Sequence, residues 1–354
     1  MTKGILGLIA CPMVDDNLVY SLGKDGEEKN IVIIDNDNNT SIRSKLDKAG
    51  IPYSIVAFND ILSRNYTLDA DRYTILIYMT NLGLHAEPEK LKSTVENLAT
   101  DMQPFVDAMG FYLGTCGNYN WSPAKWCEEK GFKPSATFHD CNGCLCHDCV
   151  GINIAGGPKY NEMQKKYVGH FYAFPAMASN WDEFNDADSS NSAATEESLT
   201  PEMREVLGIE PGHDGYMRWM FSLGGYEYIL KIDTGLGDRE QFEKDLQKVS
   251  ERMRLKIKVP DEDWADLQPT NDLYSECKSF LQRRLHARGL GVHCRDTHPD
   301  LLRDTGGFGH HQQGARAQHR MQRGHRAQGH GQAQQGRASE ARDGQGADDA
   351  RKAR

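Results

Sequence analysis

Short apolar runs alternate with amphipathic segments along most of this chain. Runs at 5–10, 31–34, 53–58 and 73–79 have the length of strands that are buried on both faces. Segments with apolar residues three or four positions apart follow the first two runs. Strands that alternate with helices are typical of parallel sheets, because a parallel pair needs a crossover connection. The pattern therefore predicts an α/β fold of Rossmann-like type, with mostly parallel sheets flanked by helices.

The longest amphipathic stripe predicts a helix from about Pro88 to Met109. Its apolar positions are Leu91, Val95, Leu98, Met102, Phe105 and Met109. Gly110 is expected to end this helix, and residues 111–113 are expected to form the next strand. Packing in the core explains such a stripe without any functional role.

The second half of the chain continues the alternation. Strand-like runs occur at 150–155, 170–174, 226–232 and 255–259, and helical segments occur at 159–169 and after Asp238. A final helix is predicted around Leu273 and Cys277. The acidic stretch 182–199 is rich in Ser and Asn and has little to bury, so we expect an exposed loop there.

This pattern stops near residue 285, which bounds a predicted α/β domain of residues 1–285. A division of the domain into lobes of about 1–110 and 111–285 stays open. Eight of the 13 histidines lie from His286 onward, among Arg, Gln and Gly, with almost nothing apolar to bury. A His-rich metal-binding tract and a disordered basic arm are two interpretations of this tail, 286–354. A gene read out of frame is the interpretation that we favour.

Charge and hydropathy exclude two classes of partner. The formal charge of −10 argues against nucleic acid, which calls for clustered Lys and Arg. No run approaches the ~20 apolar residues of a membrane span. The apolar N-terminus, MTKGILGLIACPM, is interpreted as a first strand rather than a signal peptide. We therefore expect a cytoplasmic protein with reduced cysteines, which favours metal ligands or redox chemistry over structural disulfides.

Six of the nine cysteines fall between Phe111 and Gly157. Cys141, Cys144, Cys146 and Cys149 have the spacing C-x2-C-x-C-x2-C. Thiolates in such number suit Zn²⁺ or an iron–sulfur cluster. The one-residue step between Cys144 and Cys146 makes it hard for both to bind one metal ion. Ordinary small side chains in a reduced protein are the alternative.

Cys11, Cys116 and Cys149 form a second grouping, because each adjoins a predicted strand. Ligand sites of open α/β sheets lie beyond the carboxyl ends of the strands. Three thiolates with one open coordination position would make a reactive metal site. Asp148 would then support a ligand or act as an acid–base group. Three buried cysteines that pack as small apolar side chains are the alternative.

Glycine turns and one aromatic residue are candidates for contact with a cofactor. The residues are Gly114, Thr115, Gly117, Gly156, Gly157, Trp181, Asp233, Thr234 and Gly235. Glycine lets the backbone approach a ligand closely, and the Trp181 ring can line a pocket for a flat cofactor. None of the turns is a full G-x-G-x-x-G motif, so a tight connection is the alternative for each. Trp181 can equally belong to the core.

Five segments together resemble the DUF1638 family, a domain of unknown function found in methanogenic archaea and anaerobic bacteria. The segments are IACPM, YLGTCGN, DCVGINIAGG, FPAMASNW and YILKIDTGLGD, within about residues 4–260. The resemblance includes Cys11, Cys116 and Cys149, whereas Cys141, Cys144 and Cys146 are additions in this chain.

The resemblance also implies a metabolic context, because genes of such proteins often lie near corrinoid-dependent methyltransferases. The first hypothesis is a thiolate protein of anaerobic one-carbon or corrinoid methyl metabolism, with methyl transfer as one role. Zinc is its first cofactor, and an iron–sulfur cluster or a corrinoid is the alternative. A second hypothesis is a non-enzymatic accessory module whose partner is a corrinoid protein or methyltransferase. A third is a redox protein that uses the dithiols between Cys141 and Cys149. Whether the protein is an enzyme, and which substrate and oligomeric state it has, stay open.

Overall fold

Six parallel strands form the larger of two sheets in the computed structural model, which describes residues 1–186 and 195–289. The strands are β1 Gly4–Ala10, β2 Asn30–Asp35, β3 Ser54–Ala57, β4 Tyr73–Met79, β5 Ala108–Tyr112 and β6 Ser135–Thr137. Their order across the sheet is β3-β2-β4-β1-β5-β6, and every pairing is parallel. All seven residues of β1 are buried, as expected for a central strand covered on both faces.

Helices and short 3₁₀ turns connect the strands. The helices are α1 Asp15–Lys24, α2 Thr40–Lys48, α3 Phe58–Leu62, α4 Pro88–Met102, α5 Pro123–Glu129, α6 Cys149–Asn153, α7 Gly157–Lys166, α8 Pro175–Ser179, α9 Trp181–Asp186, α10 Pro201–Leu207, α11 His213–Leu223, α12 Arg239–Met253 and α13 Gln268–Gly289. The 3₁₀ turns are Pro12–Val14, Leu82–Ala86 and Gln103–Phe105. Among the described residues, no helix is both long and apolar enough to cross a membrane.

Helices cover both faces of the larger sheet. Leu18 of α1, Leu46 of α2 and Cys277 of α13 are buried in the cluster on one face. Val95 and Met102 of α4 belong to the cluster on the opposite face. This doubly wound parallel sheet confirms the predicted α/β fold.

The strand order places a switch point at the centre of this sheet. From β1 the chain crosses to β2, whereas from β5 it continues to β6 on the other side. Two adjacent strands with diverging connections leave a crevice beyond their carboxyl ends. Cys11 follows β1 and Cys116 lies in the turn after β5, so both belong to this edge of the sheet.

A smaller parallel sheet contains β7 His170–Ala173, β8 Tyr228–Lys231 and β9 Lys256–Lys258, in that order. Met163 of α7 packs on one of its faces, and Leu246 of α12 packs on the other. The described residues belong to one compact unit. The lobe boundary predicted near residue 110 falls inside β5, which pairs with β1 and β6 in the larger sheet.

The last helix, α13, returns from the smaller sheet to the larger one. The Tyr274 hydroxyl lies 3.0 Å from that of Tyr73, and Lys278 Nζ lies 2.7 Å from Asp25 Oδ1. The final helix predicted around Leu273 and Cys277 is therefore confirmed. Most of the predicted tail, residues 290–354, lies outside the described residues.

The prediction that one helix runs to Met109 is wrong. α4 ends at Met102, and a 3₁₀ turn with Pro104 follows it. Proline lacks the amide donor that a continuing helix needs. Met109 belongs to β5, where it pairs with Gly7 of β1.

Two further predictions are also wrong: a strand at 150–155, and a loop that begins at residue 182. The first segment contains α6, and α9 occupies residues up to Asp186. Ile152 packs in a cluster of the larger sheet, whereas Val150 and Ile154 pack in a cluster of the smaller sheet. A helix covered on two sides thus mimics the alternation of a strand.

Candidate thiol site

Backbone hydrogen bonds bring the loops of Cys11, Cys116 and Cys149 together. The Cys11 amide donates to the carbonyl of Tyr112, at the end of β5, over 2.9 Å. The Cys116 amide donates to the carbonyl of His147, two residues before Cys149, over 2.9 Å. These bonds fix the turn after β1 to β5, and the turn after β5 to the start of α6.

Gly114 and Thr115 hold the two later loops against each other. A side chain at Gly114 would place its Cβ 2.7 Å from Asp148 Cα and 2.8 Å from the His147 carbonyl oxygen. Thr115 Oγ1 lies 2.9 Å from Nδ1 of His147. Both residues were predicted to contact a cofactor, and in the structure they contact the loop that leads to Cys149.

The backbone of Cys116 adopts a conformation that is uncommon for a residue with a side chain. Its φ angle is 41°, and Gly117 follows with a φ angle of 88°. Non-glycine residues rarely occupy this region, and such strain concentrates at functional sites. The strained turn places Cys116 beside the start of α6.

The three thiols are partly buried, and this burial is the largest cause of a raised pKa for each. Burial, followed by the charge of Cys116, raises the pKa of Cys11 to about 12. Burial, followed by the charge of Asp148, raises the pKa of Cys116 to about 12. Burial, followed by the charges of Asp148, Cys116 and Cys11, raises the pKa of Cys149 well above its usual value. At neutral pH, all three side chains are therefore neutral thiols in the free protein.

Asp148 caps α6 next to these thiols. Its Oδ1 accepts a hydrogen bond from the Gly151 amide over 2.7 Å, as an N-cap side chain does. Burial raises the pKa of Asp148, although hydrogen bonds from Gly151 and Val150 oppose this effect. The carboxyl group thus orients the first turn of α6 and adds negative charge beside Cys116 and Cys149.

The donor set suits a thiophilic metal ion by its chemistry, since three thiols are soft ligands. Within residues 1–186 and 195–289, however, no three His, Cys, Asp or Glu side chains are arranged ready to hold a metal ion. Coordination by Cys11, Cys116 and Cys149 would require their side chains to turn toward a common centre.

Two clefts lie near the ends of the smaller sheet. The first has a volume of about 800 Å³ and is lined by Asp233, Thr234 and Gly235, which follow β8. The second has a volume of about 1030 Å³ and lies between the α1–α2 pair and the segments α8, α9 and α12. Gly235 lines both clefts. The predicted cofactor turn after β8 therefore faces two open volumes.

The larger cleft contains an acidic group that our sequence analysis missed as a site. Lys45 Nζ lies 2.5 Å from Asp15 Oδ1 and 2.9 Å from Asp16 Oδ1. Ser41 Oγ donates to Asp15 Oδ2 over 2.6 Å. Burial raises the pKa of Asp15, and Lys45 opposes this rise. The adjacent acids in the first turn of α1 were the available signal in the sequence.

Glu183 connects the larger cleft with the thiols. Its side chain lines this cleft, and its charge is one of the contributions that raise the pKa of Cys11, after those of burial, Cys116 and Asp15. Burial raises the pKa of Glu183 itself. Glu183 is therefore a residue of the cleft whose charge also acts on Cys11.

A family model described as a protein of unknown function, DUF1638, matches residues 79–270, more than half of the chain. The chain belongs to the DUF1638 family. The match confirms the resemblance noted in the sequence. No curated protein and no solved structure matches the chain.

The DUF1638 match contains Cys116, Asp148 and Cys149, whereas Cys11 lies before it. Cys11 nevertheless contacts the matched region through its hydrogen bond to Tyr112. Pairing of β1 with β5 brings this N-terminal thiol to the site.

The remaining residues predicted for cofactor binding lie elsewhere in the DUF1638 fold. A Cβ on Gly156 would lie 3.0 Å from Asp140 Cβ, and a Cβ on Gly157 would lie 3.3 Å from Asp140 Oδ2. Trp181 is buried among aromatic rings, with the ring of Phe171 at 5.5 Å. The glycines thus pack against Asp140, and Trp181 belongs to the core of the smaller sheet.

Proposed function

We propose that this DUF1638 protein binds a thiophilic metal ion through Cys11, Cys116 and Cys149, with zinc as the first candidate. One observation carries the proposal: backbone hydrogen bonds bring three partly buried thiols to the switch point of a parallel sheet. The three cysteines also pack against the apolar clusters, but packing alone does not require the strained turn at Cys116.

The electrostatics explain why a cation would bind here. Neutral thiols surrounded by negative charge gain a favourable partner when a divalent cation enters, and they release protons as they become thiolates. Bound zinc would polarise a ligand at its fourth position or activate a thiol there. The chain itself supplies the orientation, because Thr115 fixes His147 and Asp148 fixes the first turn of α6.

We further propose that the ligand of this site enters through the cleft of about 1030 Å³. Glu183 lies on the wall of this cleft, and its charge reaches Cys11. A mostly preformed cleft beside reactive groups is the usual form of a small-molecule site.

The metabolic role that we propose is anaerobic one-carbon or corrinoid methyl metabolism in the cytoplasm. The family resemblance supports it, and a methyl transferred to a thiol is chemistry that a zinc–thiolate site can serve. A corrinoid protein or a methyltransferase is the proposed partner. An accessory module that binds such a partner without catalysis would use the same site.

Metal analysis of anaerobically purified full-length protein tests the proposal. Elemental analysis and a visible spectrum are recorded for the natural protein, for Cys116→Ser and for Cys141→Ser, whose cysteine is exposed. We expect one colourless zinc ion in the natural protein and in Cys141→Ser, and loss of zinc in Cys116→Ser. Iron–sulfur or corrinoid absorption would assign a different cofactor. Equal zinc retention in both variants would contradict the three-thiol site.

A further inference from the structure

Cys141 and Cys144 differ from the other described cysteines in their exposure. Both side chains are exposed, whereas Cys146 is buried and Cys149 is partly buried. Cys146 packs in the apolar cluster of the larger sheet. The run C-x2-C-x-C-x2-C therefore separates into an exposed pair, one core residue and one residue of the thiol site.

A tight hairpin carries the exposed pair. His139 and Leu145 form an antiparallel bridge. The Gly143 amide donates to the Asp140 carbonyl over 2.9 Å, and the Asp140 amide donates to the Cys144 carbonyl over 2.8 Å. Gly143 has a φ angle of 75°, as in hairpins that close with a left-handed glycine after a type I turn.

Asp140 makes the base of this hairpin rigid. Its Oδ1 accepts hydrogen bonds from the amides of Asn142 and Cys144, each over 2.9 Å. The side chain is buried and lies directly beside Gly156. The turn that presents Cys141 and Cys144 is thus anchored to the body of the protein.

This geometry suits an internal disulfide. A disulfide needs its two α-carbons within about 7 Å. A turn that pairs residue 140 with residue 144 keeps residues 141 and 144 within this reach, since the chain reverses between them. The thiols are also open to reagents in solution, unlike the buried Cys127 and Cys277.

We infer that Cys141 and Cys144 are a thiol–disulfide exchange pair that reacts with dissolved low-molecular-weight disulfides. The thiolate of one cysteine attacks a sulfur of the disulfide, whose S–S bond breaks and releases one thiol. The second cysteine then attacks the mixed disulfide, forms the Cys141–Cys144 bond and releases the second thiol. Two protein thiols are oxidised, one disulfide is reduced, and the two protons pass to the released thiols. The inference does not depend on metal binding by Cys11, Cys116 and Cys149.

The second step is the one that the hairpin favours. Closure within the turn competes with attack by dissolved thiol, and tethering gives the partner thiol an effective concentration on the order of mM. The internal disulfide should therefore prevail over double modification when free thiol is below this concentration.

The test equilibrates anaerobically purified full-length protein with mixtures of reduced and oxidised glutathione. Samples are quenched with acid, alkylated and mapped by mass spectrometry. We expect a Cys141–Cys144 cross-link in the natural protein and in Asn142→Ala, which keeps both thiols. Cys141→Ser and Cys144→Ser should lose the cross-link and carry one glutathione on the remaining cysteine.

Two results would overturn the inference. One is glutathione on both cysteines without a cross-link, and the other is a disulfide between two protein molecules at these positions. The series is repeated on Cys116→Ser, in which the proposed metal site is broken. An unchanged cross-link there shows that the exchange pair and the metal site are separate properties.

Discussion

At the scale of single residues, Gly114 decides how closely the two later thiol loops approach each other. The position where its side chain would begin is only 2.7 Å from Asp148 Cα. Both neighbouring atoms, Asp148 Cα and the His147 carbonyl oxygen, belong to the backbone, so no flexible side chain can move aside. The order of the residues along the chain makes Gly114 look like part of a ligand-binding turn.

Replacement of Gly114 by alanine should separate these loops. We expect a loss of about 1–3 kcal/mol in the free energy of unfolding, as for overpacking elsewhere, together with weaker zinc retention. Urea denaturation and metal analysis measure the two effects. Gly26→Ala is the control, because that position is open and has no close neighbour. Its stability should stay within about 0.5 kcal/mol. Equal stability of both variants would show that the loops can part freely.

Two substitutions of Asp148 can separate its structural role, as the cap of α6, from an acid–base role. Asp148→Ala should lose the cap of α6 and about 1 kcal/mol of stability, whereas Asp148→Asn keeps an oxygen that can accept the Gly151 amide. If capping is its main role, the asparagine variant restores both the thermal midpoint and zinc retention. Restored stability with altered zinc retention would instead mean that its charge acts on the thiols.

The sequence predicted that Cys11 and Cys116 follow strands, because thiols at strand ends are visible in a linear pattern, whereas Cys149 begins α6 instead of preceding a strand. It could not predict which residues fix them. The contact between Gly114 and Asp148 joins segments more than 30 residues apart, and it depends on how β5 and the loop before α6 pack. The cap at Asp148 was missed for a related reason, because the alternation at 150–155 resembled a strand.

At the scale of elements, α13 is the helix that ties the end of the described chain to the larger sheet. Lys278 Nζ lies 2.7 Å from Asp25 Oδ1 and 2.8 Å from Glu27 Oε2. Burial alone would raise the pKa of Glu27, but hydrogen bonds from Lys278 and Thr2 outweigh it and lower the pKa to about 2. These carboxylates hold α13 only while they are charged.

This anchor predicts a pH-dependent loss of stability. A carboxyl group with a lowered pKa in the folded state stabilises the fold above its unfolded pKa of 4.5. That contribution is lost as the pH falls from 4.5 toward 2. Lys278→Met should therefore cost about 1 kcal/mol near pH 7, and the difference from the natural protein should shrink below pH 4.5. Denaturant titrations at several pH values measure this difference in stability. Lys125→Met, which changes an exposed lysine, is the control. A difference that stays constant with pH would contradict the anchor.

The end of α4 shows that the spacing of apolar residues alone does not predict where a helix stops. Phe105 and Met109 continue the apolar stripe of α4, yet Pro104 ends the helix and Met109 turns into β5. The stripe continues because both segments face the same apolar cluster. Pro104 is the decisive local signal, because its ring nitrogen cannot donate the hydrogen bond that a continuing helix needs.

At the scale of the whole molecule, a lysine on the wall of the larger cleft binds both acids at the start of α1. Lys45 lies between two acids, and Asp15 is completely buried. Parallel strands and helices could be predicted from local patterns. The cleft could not, because α1, α2 and α12 meet there from distant parts of the chain. The return of α13 to the larger sheet could not be predicted either, because it also joins distant parts of the chain.

Removal of this lysine should therefore affect the whole fold. Lys45→Met leaves the carboxylate of Asp15 buried without its cation, so we expect a loss of about 3–5 kcal/mol of stability. Lys48→Met changes an exposed lysine of the same helix and should change stability by less than about 0.5 kcal/mol. Thermal and urea unfolding compare the two variants. Equal midpoints would mean that the acids are satisfied without Lys45.

X-ray absorption at the zinc edge tests whether three thiols at the switch point hold the metal. We expect three sulfur neighbours at about 2.3 Å and one lighter neighbour in the natural protein loaded with zinc. We also expect loss of this sulfur shell in Cys116→Ser and its persistence in Cys141→Ser. A spectrum with only oxygen and nitrogen neighbours, or a sulfur shell unchanged in Cys116→Ser, would contradict the three-thiol site.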